Sequence, residues 1–393
     1  MAEKIEVGTM TNKGLVISTY KNTNAYTWEN GLFGYLSCYL SKELTEIPFD
    51  PTSTTLKNKT INFSHNVEVG ADPEVFVVDK RGVVIPAFSF LPVKENGKVD
   101  KSYGGGQLEK CYNDGFQAEF SINPVNCLSY GIDAMHRQLK AIHTAARKVE
   151  PTARLTAATA LEIPEALLLM SPEEYVRIGC APSMNAYGAM GEQIVDGRAL
   201  PYRFAGAHIH IGSKDVTPEN AIRTVKCMDA LVGCMSVALF GSQENDVRRR
   251  FYGIAGEYRL PKHGLEYRVV SAGMLRHPVY CNLLMDTARM AFRCGVSRVF
   301  EVLGWFDETT VKKAINESDV KLARKVLKKN EVLLKQIFDK IYGAGNTANI
   351  WLLLMGEKKI KLKRTMEADW YFAKGWINHG EAINCSVRKA VYA

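Results

Sequence analysis

Short runs of this chain alternate apolar and polar residues with a period of two, and longer runs repeat with a helical period, so strands and helices are both expected. Residues 67–79 (Val-Glu-Val-Gly-Ala-Asp-Pro-Glu-Val-Phe-Val-Val-Asp) predict a strand interrupted by Pro73. Proline has no N–H for a ladder, so the interruption suits an edge or a bulge. Further strands are expected at 117–122, 154–159, 207–211 and 265–270. Asn96-Gly97 marks a hairpin turn, and the Gly104-Gly105-Gly106 stretch within 101–114 predicts a mobile loop. Ile132, Met135, Leu139, Ile142 and Val149 fall on one helical stripe. Ser171-Pro172-Glu173-Glu174 reads as a capping box with proline at the first helical position. Thr217-Pro218-Glu219 opens a long helix to about Phe240, and Pro278 opens another to about Val302. A third runs over 319–341 and ends at Gly343, with Leu322, Val326, Leu333, Ile337 and Ile341 as its apolar stripe.

Strands separated by long connections predict an α+β fold, one antiparallel sheet with helices packed on one face. Residues 1–60 read as an N-terminal appendage with aromatics (Tyr20, Tyr26, Trp28, Phe33, Tyr35), closed by the linker-like Asp50-Pro51-Thr52-Ser53-Thr54-Thr55. Residues 61–305 read as the core and 306–393 as a C-terminal helical region. The 393 residues leave room for two or three domain-sized units.

Composition narrows the function classes. With 46% apolar and 23% charged residues, the chain can afford a buried core. Its net charge of +8 is spread along the sequence, and the Lys-rich segments 325–335 and 358–364 read as a solvated helix face and a surface loop. No nucleic-acid partner is therefore expected. Nine scattered cysteines without a Cys-x-x-Cys pair fit neither a disulfide framework nor a thiolate metal site, but do fit reduced thiols in the cytoplasm. The start carries no apolar stretch of signal-peptide length. No run approaches the ~18–20 apolar residues that span a bilayer, so no membrane partner is expected. The runs 166–170 and 350–355 are short enough to be core.

Four segments place polar residues two apart inside strand-like runs, and residues i and i+2 of a strand share a face. Asp72 and Glu74 form one pair, His208 and His210 another, and Glu266 and Arg268 a third, while Glu119 sits in the run Gln-Ala-Glu-Phe-Ser-Ile. Each piece alone has a plainer explanation. Asp72-Pro73-Glu74 could be a turn, Glu119 could face solvent, and Glu266 with Arg268 could be a surface ion pair. If the strands are neighbours, however, one sheet face carries carboxylates and imidazoles that repel and desolvate one another unless cations fill it. Oxygen-rich sites of this kind suit Mg²⁺ or Mn²⁺ and tolerate an imidazole or two. Arg248-Arg249-Arg250, followed by a glycine-interleaved segment with Arg259, Lys262 and Arg268, adds a cationic counterpart. Guanidinium forks bind phosphate oxygens, and glycines allow close backbone approach. No P-loop or kinase glycine-rich loop is present. His136 and His143, one heptad apart, read as surface or boundary residues.

The motifs Gly-Ala-Asp-Pro-Glu (70–74), Asp-Gly-Phe-Gln-Ala-Glu-Phe-Ser-Ile-Asn-Pro (114–124), Ala-Gly-Ala-His-Ile-His-Ile-Gly (205–212) and Tyr-Gly-Ile-Ala-Gly-Glu-Tyr-Arg through Leu-Glu-Tyr-Arg (252–268) resemble those of the phage-type carboxylate–amine ligases. That family lies within the glutamine synthetase and glutamate–cysteine ligase superfamily. The resemblance spans about 67–300. It implies a curved antiparallel sheet whose inner face binds two or three Mg²⁺ or Mn²⁺ ions, with helices on the outer face. It implies Asp72, Glu74, Glu119, His208 and Glu266 as metal ligands. His210, Arg250, Arg259, Lys262 and Arg268 would meet ATP, and Glu119, Arg259 and Arg268 would be catalytic. The activity implied is ATP-dependent amide or isopeptide bond formation through an acyl phosphate, in the cytoplasm (the host's, if phage-encoded). Its partners would be carboxylate and amine substrates, whether small molecules, peptides or proteins. Asp72 stands where glutamine synthetases usually carry Glu. Oligomeric state stays open. Two alternatives stay open as well: a non-catalytic structural or binding protein retaining the ligase fold, and a metal-dependent hydrolase using His208, His210 and Asp72.

Overall fold

A computed structural model describes residues 4–11, 14–21, 46–48, 60–62, 67–93, 110–125, 128–176, 183–188, 200–244, 247–296, 307–342, 344–370 and 372. The expected Asn96-Gly97 turn and the triple glycine at 104–106 lie outside these residues. Two small hairpins come first. Strand β1 (Lys4–Thr11) pairs with β2 (Gly14–Lys21), and β3 (Glu46–Pro48) pairs with β4 (Thr60–Asn62). The main strands are β5 (Glu68–Val78), β6 (Lys110–Asp114), β7 (Gln117–Val125) and β8 (Arg154–Thr156). They are followed by β9 (Ala160–Glu162), β10 (Met184–Asn185), β11 (Tyr202–Phe204), β12 (Ala207–Gly212), β13 (Glu257–Arg259) and β14 (Gly264–Tyr267). Eight of these form one sheet in the order β10-β13-β14-β12-β5-β7-β6, with β8 also pairing to β5; β11 and β9 pair separately. Every pairing in the large sheet is antiparallel. The fold is α+β, as the spacing of strands and helices predicts.

The helices are α1 (Leu128–Val149), the short α2 (Glu165–Met170) and α3 (Glu173–Val176), α4 (Pro218–Met228), α5 (Cys234–Phe240) and α6 (Val247–Phe251). Then come α7 (Pro278–Val296), α8 (Glu308–Asn316), α9 (Val320–Lys329), α10 (Glu331–Tyr342), α11 (Ala344–Met355) and α12 (Met366–Asp369). Strand alternation decides where the helices pack. In β5, Val69, Ala71, Val75 and Val77 are buried on one side, and Ala118, Phe120 and Ile122 of β7 and Ala207, Ile209 and Ile211 of β12 join them. The stripe Ile132, Met135, Leu139 and Ile142 of α1 and nearly all of α7 belong to the same core. Burying each large apolar side chain contributes about 1.5–3 kcal/mol, so this side of the sheet supplies most of the cohesion. Ala314, Ile315, Leu327, Leu354 and Trp370, from the C-terminal helices, share that core.

Several expectations need correction. Strand β5 is central, not an edge: β12 lies on one side of it and β7 on the other. The ladder to β7 registers Ala71 against Ile122 and Glu74 against Glu119, on either side of Pro73, and the register shift falls earlier, between Val69 and Ala71. The single helix expected over 319–341 is two, because the chain leaves helical geometry at buried Asn330, whose side chain donates to the Val326 carbonyl. Thr217 does cap α4, with its hydroxyl accepting from the Asn220 N–H and the Asn220 side chain accepting from the Thr217 N–H. The Ser171 hydroxyl instead donates to the Leu167 carbonyl, at the end of α2. Within 166–170, Met170 is 83% exposed, so that run is not core throughout. His136 is buried rather than at the surface.

Helix α4, a π-helical segment (Asp229–Gly233) and α5 form a continuous run. The run 218–243 is long and apolar enough by composition to cross a membrane, contrary to expectation, but nearly all of it is buried inside this fold. The described cysteines Cys111, Cys227, Cys234, Cys281 and Cys294 are buried and form no disulfide among the described residues.

Close approach of β12 and β14 depends on Gly264, which has φ +146°; a Cβ there would lie 2.1 Å from the Ile211 carbonyl oxygen. Gly264→Ala should destabilise the fold by at least about 2 kcal/mol, measured as a lowered urea midpoint. An unchanged midpoint would mean that β12 and β14 are not paired in this register.

Candidate active site

The side of the sheet away from α1 and α7 carries Asp72 and Glu74 of β5 and the polar residues of its neighbours, while Phe76, on the same side, joins a second apolar cluster with Leu168 of α2 and Val176 of α3. The register places Asp72 opposite His208, His210 opposite Glu266, and Glu266 opposite Arg259. Glu74 stands opposite Glu119, which stands opposite Tyr112. Direct partners in antiparallel strands share a face. Thus Asp72, Glu74, Glu119, His208, His210, Arg259 and Glu266 all come together, and Arg268 follows two residues after Glu266.

Their contacts form a continuous network. His210 Nε2 lies 2.9 Å from Asp72 Oδ1. His208 Nδ1 lies 3.5 Å from both Asp72 Oδ1 and Glu266 Oε1. Glu266 is also ion-paired to Arg268 and lies 3.6 Å from Arg259 Nη1. The Gly206 N–H and the Tyr252 hydroxyl donate to Glu74 Oε2 at 2.6 and 3.2 Å, and the Tyr112 hydroxyl donates to Glu119. Gly206 has no room for a side chain, because a Cβ would lie 2.8 Å from His208 Nε2 and 2.9 Å from the Tyr252 hydroxyl.

Two sets of donor atoms converge. Asp72, His210 and Glu266 offer atoms within 4.8 Å of one another, and so do Glu74, Asp114 and Glu119. Asp114, two residues beyond Tyr112 on β6, is absent from the sequence-based ligand set. Its signal was present, since a strand at 110–114 paired with β7 puts Asp114 on the face of Glu119. The triple glycine at 104–106 is a loop signal that hides the strand following it. The set also differs in its histidine. The resemblance implies His208 as the ligand and His210 nearer the nucleotide, yet it is His210 that completes the first group. His208 Nε2 is buried without a hydrogen-bond partner.

The cationic side divides into two kinds. Arg259 is 27% exposed and can meet a ligand. Arg268 is 1% exposed and held between Glu266 and Glu257, the latter with Oε1 at 3.5 Å from its Nε. Lys262 is exposed in the turn between β13 and β14, one residue before His263, whose Nε2 lies 3.0 Å from His210 Nδ1. Arg250 is exposed on α6, not on a strand of the shared face. Arg248 and Arg249 are not ligand contacts. Arg248 packs over the Tyr252 ring and donates to the Val270 carbonyl at 3.2 Å. Arg249 pairs with Glu244 at 3.0 Å and donates to the Val269 carbonyl at 2.7 Å. The glycines between these arginines and Arg259 also serve internal packing: Gly253 makes room for the Arg248 guanidinium, and Gly256 for Tyr187 and Asn185.

Charge shapes the titration. Burial would raise the Asp72 carboxyl, but His208 and His210 outweigh it and hold that group far below the usual carboxylate range. Burial would lower His210, but Asp72 and then Glu266 raise it above the ordinary imidazole value. Burial, then the charge of His210, lowers His263. Burial and the neighbouring Glu119 raise the Tyr112 hydroxyl.

Residues 193–370 match the family model described as "Phage phiEco32-like COOH.NH2 ligase-type 2". Over that stretch the chain is similar to the phage-type carboxylate–amine ligases. The ligase match takes in His208, His210, Arg250, Arg259, Lys262, Glu266 and Arg268. It also extends through α8 to α12, beyond the motifs that carry the resemblance in the sequence. Asp72, Glu74, Asp114 and Glu119 lie before it and are joined to the matched residues by the sheet register. A search of curated proteins finds no match.

The Asp72–His210 pair gives a signed pH expectation for the metal-free protein. The depressed Asp72 stabilises the fold above the ordinary carboxylate value, and that contribution is lost as pH falls through its folded value. The raised His210 contributes below the ordinary imidazole value of ~6.5, and that contribution is lost as pH rises through its own folded value. In NMR titration His210 should titrate above ~6.5, and Asp72→Asn should lower its midpoint. A midpoint unmoved by the substitution would remove Asp72 as the cause.

Proposed function

We propose that this chain uses ATP to join a carboxylate to an amine, forming an amide or isopeptide bond through an acyl phosphate. The observation that carries the reading is the crowding on one sheet face: Asp72, Glu74, Asp114, Glu119, Glu257 and Glu266 there outnumber Arg259 and Arg268. Two like charges about 4 Å apart repel by about 4 kcal/mol at an effective dielectric near 20, so such a face asks for additional positive charge. Oxygen-rich donors with one imidazole fit Mg²⁺ or Mn²⁺. Asp72, His210 and Glu266 would hold one ion, and Glu74, Asp114 and Glu119 a second. Bound there, the ions would supply positive charge between the protein carboxylates and the phosphoryl oxygens.

The chain's own groups divide the remaining work. Arg259, the more exposed of the two arginines, is placed to meet the transferring phosphoryl group, where a guanidinium counters charge that builds in the transition state. Arg268, committed to Glu266 and Glu257, orients Glu266. Gly206 and Tyr252 fix the Glu74 carboxylate, and Tyr112 fixes Glu119. The carboxylate substrate takes the γ-phosphoryl group as its bond to ADP breaks. The amine nitrogen then attacks the acyl carbon, the bond to phosphate breaks, and the nitrogen loses a proton. Phosphate solves the leaving-group problem, since a bare carboxylate would have to expel oxide. The buried free thiols fit a reducing, cytoplasmic setting.

Glu74→Ala and Glu119→Ala should each reduce amine-dependent ADP release by at least roughly 100-fold while circular dichroism and thermal unfolding remain close to the parent's. The assay is run across a panel of amines and carboxylates with Mg²⁺ and Mn²⁺. Retained turnover in both variants would sink the assignment of the carboxylate face. Turnover without ATP would point to hydrolysis.

A further inference from the structure

A second cluster of arginines lies away from the carboxylate face. Arg154 of β8, Arg276 just before α7 and Arg364 just before α12 line one cavity of about 220 Å³ beside the end of β5. Val78, Leu155 and Met366 give it an apolar wall. Acids are present nearby, but they are already engaged. Asp369 pairs with Arg276 and accepts from the Lys363 N–H at 2.9 Å. Glu367 accepts from the Leu155 N–H at 2.6 Å. Asp79 pairs with Arg81 at 2.9 Å. Arg154 donates to the Lys80 carbonyl at 3.0 Å and pairs with no carboxylate among the described residues. Arg364 makes no ion pair among the described residues. Among the described residues, two of the three guanidiniums therefore form no ion pair.

We propose that this cavity binds a small dianion, either inorganic phosphate or a phosphate monoester, or a dicarboxylate. Guanidinium forks match both groups in geometry, and a concave, partly apolar wall focuses the positive field. The volume sets the size. It is below the ~300 Å³ at which drug-sized pockets begin, and it holds about seven water volumes at ~30 Å³ each. That is room for a phosphate on a small carrier and too little for a nucleotide. The site is separate from the ligase face, because Val78 lies four residues beyond Glu74, about 13 Å along the strand at ~3.3 Å per residue. His277, next to Arg276, feels the same field: burial first, then Arg276 and Lys363, push its imidazole down to about 3.

The test titrates inorganic phosphate and succinate separately into the full-length protein, against chloride at matched ionic strength, with calorimetry and thermal unfolding as readouts. One of the two should bind saturably and raise the unfolding temperature, and the better binder identifies the source. Arg154→Gln and Arg364→Gln should each weaken that binding by roughly tenfold or more, while Arg259→Gln leaves it intact. The proposal is overturned if neither anion binds beyond the chloride control, or if binding survives both cavity substitutions. It is equally overturned if binding disappears with Arg259→Gln, since the anion would then belong to the ligase face.

Discussion

Mutual repulsion among carboxylates is the constraint around which this molecule is organised. A β-sheet has two faces, and here they are given opposite tasks. One buries valine, isoleucine and phenylalanine against α1 and α7. The other gathers Asp72, Glu74, Asp114, Glu119, Glu257 and Glu266 within a few strands of one another. The second face could not form without the cohesion of the first, because acids so close together are held at a cost. The functional arrangement therefore rests on the apolar half of the same strands.

Inside the polar face, hydrogen bonds and ion pairs limit that cost by fixing each acid in place. Glu266 is the hub. Arg268 and Arg259 approach it from within its own sheet, and His208 from the neighbouring strand. Glu74 is held by a backbone N–H and a tyrosine hydroxyl, and Glu119 by another tyrosine. Under the proposed function, such anchoring would present incoming cations with donors already oriented, the arrangement by which preorganised electrostatics lowers a barrier. Arg248 and Arg249 act one layer further out. They brace Tyr252 and the carbonyls after β14, so the basic triplet divides between scaffold and surface.

Much of this was legible in the sequence, and the reason is periodicity. The spacing i, i+2 within strands puts Asp72 with Glu74 and His208 with His210, and the sheet register brings the pairs together. What the sequence could not give was pairing between distant strands. That is why Asp114 is not visible as a neighbour of Glu119, and why spacing alone does not say which histidine closes on Asp72 and Glu266. Burial was equally hidden: nothing local in Arg248-Arg249-Arg250 distinguishes guanidiniums facing carbonyls from one facing solvent. The central position of β5 is hidden in the sequence because Pro73 suits an edge or a bulge, whereas the ladder to β7 continues on both sides of the proline.

Strand β5 contributes one acid to each donor group, Asp72 to the first and Glu74 to the second. The distance between the two is thus set by the backbone repeat of a single extended chain clamped on both sides, not by the reach of flexible side chains. The strand acts as a ruler. Because its two faces alternate residue by residue, a slip of one position would turn Asp72 and Glu74 into the hydrophobic interior and Val69, Val75 and Val77 outward. Assembly of this centre is therefore all-or-none, and a misregistered strand would leave no weakened version of the site behind.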